Sequence, residues 1–316
     1  MNILVTGGAG FIGSHLARRA LALGHAVTVV DNLSTGYRAQ VPDAADFVYA
    51  DLGNPTHYLR MRGLAPDVIF HLAAQSSGWI SMDAPIRDLD DNLRATVLLT
   101  EWALSVGSPR LVFASTESVY GEGEGRAPFD EDMLPRPRSF YGCSKLACEH
   151  YLRVAHRELG LAPTSLRLFS VYGPRQDLAN MRQGILSIYL SYVLRGEPVT
   201  VKGPAERVRD LVIVDDVVEA FLAAAAAPAT IGRELNVCTG EAVTVGDMIR
   251  RLGRAFGRDD HPIAVEAGTP GDVFLSIGDH ARMTAATGWR PTVLLDDGIR
   301  RIADAFAAAR DVRRSA

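Results

Sequence analysis

Between Asn2 and Asp31 the chain carries the feature that most restricts its fold. A short β-branched and apolar run, Asn2-Ile3-Leu4-Val5-Thr6, leads into Gly7-Gly8-Ala9-Gly10-Phe11-Ile12-Gly13. A helical stretch from Ser14 to Leu23 follows, and then the apolar run His25 to Val30, which ends on Asp31. The pattern predicts strand, glycine turn, helix and strand, with an acid at the tip of the second strand. Two parallel strands joined by a crossover helix point to an open, doubly wound parallel α/β sheet. Each part has a use in binding a dinucleotide. Glycine lets the backbone turn tightly and approach a pyrophosphate, a helix N-terminus offers unpaired amides, and the acid accepts hydrogen bonds from a ribose 2′-hydroxyl. A carboxylate at Asp31 repels a 2′-phosphate, and no arginine follows at once to receive one, so NAD is expected rather than NADP.

The 316 residues suggest about two domains, and 47% hydrophobic content suffices for a sizeable core in each. Net charge is −4 with both signs scattered, so neither nucleic acid nor a membrane is indicated as a partner. The three cysteines, Cys143, Cys148 and Cys238, have no metal-ligand spacing; no metal is expected, and a reduced, cytoplasmic setting fits the odd count. No apolar run has membrane-spanning length, and the N-terminus enters a strand without a targeting segment.

Farther along, Phe47 to Ala50 is a third strand that rises to Asp51 and Leu52. Asp51 has two readings, a partner for an adenine amino group or a cap on the next helix. Val68 to Ala74 is a continuous apolar strand, and the small residues at its end, Leu72-Ala73-Ala74, let the chain pass close to a cofactor. His71 within it reads as a hydrogen-bonded core residue in preference to a catalytic base. An amphipathic helix is expected over Asp88 to Val106, with Asn92 facing either the site or solvent. Arg110 to Ala114 is a strand that ends in the polar cluster Ser115-Thr116-Glu117-Ser118, at the carboxyl edge where such sheets bind ligands. Helix resumes at Ser139 or Phe140. It brings Tyr141 and Lys145, four residues apart, onto one face, where an ammonium favours the tyrosinate and suits the phenol for work as a base. Thr164 to Phe169 is another strand. The strand at Arg209 to Asp216 is expected to return to the main sheet, and an alanine-rich helix, Val217 to Ala227, leads to a strand at Glu234 to Val237. From Thr244 onward the chain reads as mostly helical. The division that follows is a dinucleotide-binding domain of residues 1–170 plus 209–238, capped by a smaller discontinuous α/β substrate domain of residues 171–208 plus 239–316.

With the glycine turn, Ser115-Thr116, and Tyr141 with Lys145 in hand, the chain resembles the extended short-chain dehydrogenase/reductases, a Rossmann-fold family. Within it, the resemblance is to the nucleotide-sugar epimerases and dehydratases. His71-Leu72-Ala73-Ala74, Val119-Tyr120-Gly121, Leu166-Arg167, Val171-Tyr172-Gly173-Pro174 and Arg209-Asp210 fall in the family's order. The resemblance implies that Tyr141 takes a proton from a sugar hydroxyl, that Lys145 holds the nicotinamide ribose, and that Thr116 shares the hydrogen bond. It also implies a cofactor site built from Gly7, Gly10, Phe11, Ile12, Gly13, Asp31, Asn32, Asp51, Leu52, Leu72, Ala73, Ala74, Asn92, Ser115, Tyr141 and Lys145. Substrate contacts are implied at Gln75, Thr116, Ser170, Asn180, Arg209, Asp272 and Ser276. The substrate is a nucleotide-diphosphate sugar, and the expected assembly is a homodimer in which Leu99, Trp102 and Tyr151 face the partner.

The fate of the 4-keto sugar separates the subfamilies. A 4,6-dehydratase looks for Asp-Glu after the threonine, where this chain has Glu117-Ser118; a sugar-acid decarboxylase has Glu at the Ser118 position. Simple 4-epimerisation needs neither, and it is the economical reading, of UDP-glucose/galactose or N-acetyl type. Glu117 keeps the alternatives open, as a base beside the reacting carbon or as a strand-end acid that caps a helix or pairs with an arginine. Tyr141, Lys145 and Thr116 are all present, which argues against a non-catalytic NAD-sensing relative. In two places the chain departs from the family: Ser170 stands for the usual Asn, and Thr269 for the Arg before Pro-Gly-Asp, leaving Arg209 and the Glu206-Arg207 loop as cations. Ser276, four places after Asp272, is expected to guard the sugar pocket and, being small, to admit a C2 N-acetyl group, unless a shifted register puts Phe274 there instead.

Overall fold

The computed structural model describes residues 1–269 and 271–315, so the Pro270 step of the Pro-Gly-Asp motif lies outside the described residues. The main sheet has seven parallel strands. In chain order its strands are β1 (Asn2–Thr6), β2 (Ala26–Asp31), β3 (Asp46–Tyr49), β4 (Val68–His71), β5 (Arg110–Thr116) and β6 (Ala162–Leu168), with β11 (Glu234–Val237) arriving last. Their spatial order is β11-β6-β5-β4-β1-β2-β3. β1 lies between β2 and β4, with Thr6 opposite Val30 on one side and His71 on the other. The chain runs outward from β1 in both directions, so the carboxyl ends of β1 and β4 open a crevice where the order reverses.

Helices cover both faces. On one, α1 (Phe11–Ala22) packs on α7 (Val214–Ala226), and Leu16, Ala17 and Ala20 share a core with Val217, Val218 and Phe221. Each large aliphatic side chain buried this way contributes roughly 1.5–3 kcal/mol. On the other face lie α2 (Gly78–Asp83), α3 (Pro85–Leu89), one π-helical turn at Asp90–Arg94, α4 (Ala95–Ser105) and α5 (Phe140–Leu159). The helix expected from Asp88 thus begins at Pro85 and carries a π turn, a feature frequent at functional sites. Leu99, expected to face outward, is instead fully buried with Leu111 and Leu152.

A second core gathers Tyr172, α6 (Ile185–Arg195), β8 (Val199–Lys202), α8 (Val245–Ala255) and the start of α10 (Leu295–Ser315). One expectation fails here. The segment from Arg209 does not rejoin the main sheet: β9 (Val208–Arg209) pairs antiparallel with β12 (Val243–Thr244), and β10 (Leu211–Ile213) pairs with β7 (Ser170–Tyr172) in a separate ribbon. Alternation places Val212 in the first core and Leu211 and Ile213 in the second, so this ribbon seams the two. The return to the main sheet is made by α7 and β11. The tail is also less helical than expected, because β13 (Ile263–Glu266) pairs in parallel with β8 before α9 (Ala281–Thr287).

Candidate active site

A single cavity of about 750 Å³ runs from the glycine turn, past the carboxyl ends of β4 and β5, to the second core. Its dinucleotide end is made of backbone. Gly7 has φ +68°, and a Cβ there would lie 2.7 Å from the Ala73 amide nitrogen; a Cβ on Gly13 would lie 2.3 Å from the Gly7 carbonyl oxygen. Only glycine lets β1, β4 and α1 meet this closely. Gly10 lines the cavity as the N-cap of α1 and has no side-chain cap, so the first amides of the helix are unmatched by any protein side chain. Asp31 accepts hydrogen bonds from the Ala9 amide at 3.0 Å and the Leu33 amide at 2.7 Å. Burial pushes its carboxyl up, while these two amides oppose the shift. An uncapped helix terminus on an open glycine turn, with a carboxylate fixed beside it, fits a pyrophosphate and a ribose diol. Phe11, Ile12, Asn32, Leu52, Leu72, Ala73 and Ala74 line the same cavity. Asp51 lines it too; its carboxylate accepts from Gly53 N at 2.9 Å, and the following helical turn is capped by Asn54 rather than by Asp51.

The middle of the cavity holds the chemistry. α5 is capped by Ser139, whose Oγ accepts from Gly142 N at 3.1 Å. A Cβ on Gly142 would come within 2.6 Å of the Ser118 carbonyl, so glycine lets this helix start press against the end of β5. That contact brings the Tyr141 phenol beside the Thr116 hydroxyl. Burial raises the phenol above its ordinary range, the Thr116 hydroxyl opposes this, and the Glu117 and Asp88 carboxylates add to it. Lys145 does not offset that rise. Its Nζ is 2.9 Å from the Ala114 carbonyl and 4.6 Å from the centre of the Phe113 ring, and burial pushes it down to about 8. The expectation that this ammonium favours the tyrosinate is therefore not met by the protein alone. Ser115 lines the cavity while its hydroxyl donates to Glu149, which is itself paired with Arg167.

Glu117 lines the cavity and accepts long hydrogen bonds from the Thr116 and Ser118 hydroxyls. Burial pushes its carboxyl up, opposed by the charge of the Arg209 guanidinium, and the following turn is capped by Thr116 rather than by Glu117. Asn92 is the one predicted residue off the cavity wall. It is buried in the π turn and its amide donates to Asp88 and Ser144, so it faces neither the cavity nor solvent. His71 is held between the Thr6 and Thr96 hydroxyls, and burial drives its pKa to about 3, as a core residue.

The far end of the cavity is made of side chains. Gln75, Ser170, Asn180, Arg209, Asp272 and Ser276 all line it. Arg209 donates to Asp272 at 2.6 Å and to the Val273 carbonyl, and burial pushes it down to about 10. Ser276 is 2% exposed and its hydroxyl has no protein partner, whereas Phe274 is exposed and off the wall. Sequence reasoning missed Trp79, Arg182 and Lys202. Lys202 Nζ lies 3.7 Å from the centre of the Trp79 ring and Arg182 Cζ 4.8 Å from it, at the same wall. The three come from separate segments with no shared spacing, so no sequence signal joins them.

Residues 3–238 match the NAD dependent epimerase/dehydratase family. The chain belongs to that family. A UDP-glucose 4-epimerase of Mycolicibacterium smegmatis is 37% identical over 314 residues, spanning 97% of this chain and 98% of the relative. The crystal structure of the Thermotoga maritima UDP-glucose 4-epimerase with UDP-glucose superposes with a TM-score of 0.93 at 38% identity, covering 98% of this chain and all of that one. A Thermus thermophilus UDP-glucose 4-epimerase in complex with NAD gives 0.90 at 39% identity, with the same coverage.

Proposed function

We propose that this chain is an NAD-dependent nucleotide-sugar 4-epimerase, and that UDP-glucose and UDP-galactose are its substrates. The observation that carries the reading is the joining of Tyr141, Thr116 and Lys145 in one cavity with the glycine turn and Asp31. Bound NAD⁺ supplies the hydride acceptor and returns the hydride. The protein's part is the proton and the orientation. Tyr141 removes the proton from the sugar's 4-hydroxyl and gives it back to the same oxygen after the ring has turned over. Thr116, beside the phenol, steadies that oxygen and shares its bond with the substrate. The Lys145 ammonium holds the cofactor's ribose beside the phenol. Gly7, Gly10 and Gly13 present the amides, and Asp31 receives the ribose diol.

Elimination of water across C5 and C6 needs an acid and a base, and of the two residues that follow Thr116 one carries a carboxyl: Ser118 offers its hydroxyl to Glu117. The dehydratase reading therefore lacks a partner for Glu117, and the decarboxylase reading lacks a glutamate at Ser118. Incubation of the purified protein with a panel of nucleotide sugars, read by NMR, tests the assignment. Interconversion of UDP-glucose and UDP-galactose is expected; a 4-keto-6-deoxy or pentose product overturns it.

The small, buried Ser276 leaves room beside C2, and we assign it as the gate that tolerates an N-acetyl group. We also assign a homodimer in a reduced cytoplasm. α3 and α5 pack together and leave Ile86, Leu89, Tyr151 and Val154 exposed, an apolar set better suited to a two-fold interface than the buried Leu99. A sedimentation mass of one chain at micromolar concentration overturns the dimer. The three cysteines are free thiols, and no helix among the described residues is long and apolar enough to cross a membrane.

A further inference from the structure

Two guanidinium groups share one carboxylate at the far end of the cavity. Arg209, on β9, donates from Nη2 to Asp272 Oδ1, and Arg207, in the turn before β9, pairs with Asp272 Oδ2. Both arginines are 6% exposed, and all three residues line the cavity. One carboxylate balances one guanidinium. The second positive charge stays on a buried side chain at the cavity wall, an arrangement that is costly unless an anion meets it. Two more carboxyls act on Arg209 through their charge: Glu117, whose burial favours the neutral acid, and Glu122, which is already paired with Arg138.

Arg207 is held in place rather than loose. Its Nε donates to the Pro204 carbonyl at 3.0 Å, and the Tyr189 hydroxyl hydrogen-bonds with it. A guanidinium has five N–H donors, more than these partners and Asp272 use. Its head group stands beside the turn that carries Thr269: a Cβ built on Gly203 would lie 3.3 Å from Arg207 Nε and 3.5 Å from Gly268 Cα. Thr269 itself lines the cavity and brings no charge.

We propose that Arg207 is a diphosphate-binding residue, supplying from the turn before β9 the second guanidinium that position 269 does not. Asp272 is the shared counter-ion that keeps both arginines aimed at the cavity. This rests on the nucleotide-sugar reading above. A diphosphate carries about two negative charges, and two guanidiniums can meet it with charge-assisted, in-plane hydrogen bonds.

Calorimetric titration of the NAD-loaded protein with UDP-glucose, UDP and uridine tests the assignment. Arg207→Met should weaken UDP-glucose and UDP by about 10- to 100-fold, as expected for lost hydrogen bonds to a charged group, and uridine by less than about 3-fold. Adding Thr269→Arg to Arg207→Met should restore most of the loss, because the new side chain starts beside the same spot. In the otherwise native chain Thr269→Arg should tighten UDP by less than about 3-fold, since the contact is already made; this arm stands even if Arg207→Met folds poorly. Unchanged UDP affinity in Arg207→Met, an equal loss for uridine and UDP, or a gain of about 10-fold from Thr269→Arg alone overturns the proposal. If the native protein binds neither UDP-glucose nor UDP, the nucleotide-sugar reading fails and this one with it. Native binding with an indifferent Arg207→Met removes Arg207 alone.

Discussion

The two ends of the cavity are built from different materials. At the dinucleotide end the surface is backbone: a positive-φ glycine, an uncapped helix start, and one carboxylate pinned by two amides. At the far end it is long side chains, with Arg207 and Arg209 on Asp272 and Trp79 between Arg182 and Lys202, gathered from distant stretches of chain. A backbone site is fixed by the fold and suits a cofactor that is the same in every turnover. A side-chain site can be rebuilt residue by residue, and suits the substrate that distinguishes one family member from another.

The largest expected effect lies where the two ends meet. Tyr141→Phe removes the proton carrier and should lower turnover by roughly 10²-fold or more while NAD binding changes little, and Lys145→Met should lower both. Near-native turnover in Tyr141→Phe would break the division between a binding end and a reacting centre. At the backbone end, Asp31→Ala should weaken NAD by about 10-fold or more, the scale of a hydrogen bond to a charged group, and relax the preference against a 2′-phosphate. Unchanged NAD affinity by titration would take the ribose away from Asp31.

A pH profile sharpens the account of the centre. Burial pushes Lys145 down to about 8, so its cationic form is present below that pH and is lost as pH rises through it. Its folded pKa lies below the unfolded value. The unfolded chain therefore binds more protons between about 8 and the ordinary lysine value, and this residue's contribution makes stability rise with pH across that window. Turnover should do the opposite and fall above about pH 8, because the cofactor's ribose loses the ammonium proposed to hold it. A flat rate profile to pH 10 would show that Lys145 is not needed in its charged form. The smallest expected effect is at the side-chain end: Ser276→Tyr should leave UDP-glucose turnover within about 3-fold while lowering that of UDP-N-acetylglucosamine by at least about 10-fold, the scale of steric discrimination in a pocket. An untouched ratio between the two would remove Ser276 as the gate.

The same contrast explains what the sequence made legible. A backbone site needs glycine at fixed spacing between a strand and a helix, and that spacing can be read along the chain, so Gly7, Gly10, Gly13 and Asp31 fall on the cavity wall as expected. Tyr141 and Lys145 were legible because helical periodicity alone puts them on one face. Arg209 to Asp216 was misread because a β-branched run looks the same whether it joins the main sheet or the ribbon with β7. Leu99 and Asn92 were misplaced because the π turn before α4 shifts the helix face, and nothing in local composition announces it. Trp79, Arg182 and Lys202 meet only through tertiary folding. The direction of the Tyr141 shift was misread for a related reason: spacing gives the neighbour, but burial, which dominates, belongs to the whole fold.

The central claim is that one proton carrier, Tyr141, and one returning hydride invert a single carbon. UDP-glucose labelled with deuterium at C4, incubated with the NAD-loaded protein and followed by NMR, tests it most directly. The account predicts UDP-galactose with the label retained at C4. Label appearing at C6, or UDP-galactose with its C4 label lost to solvent, would contradict it.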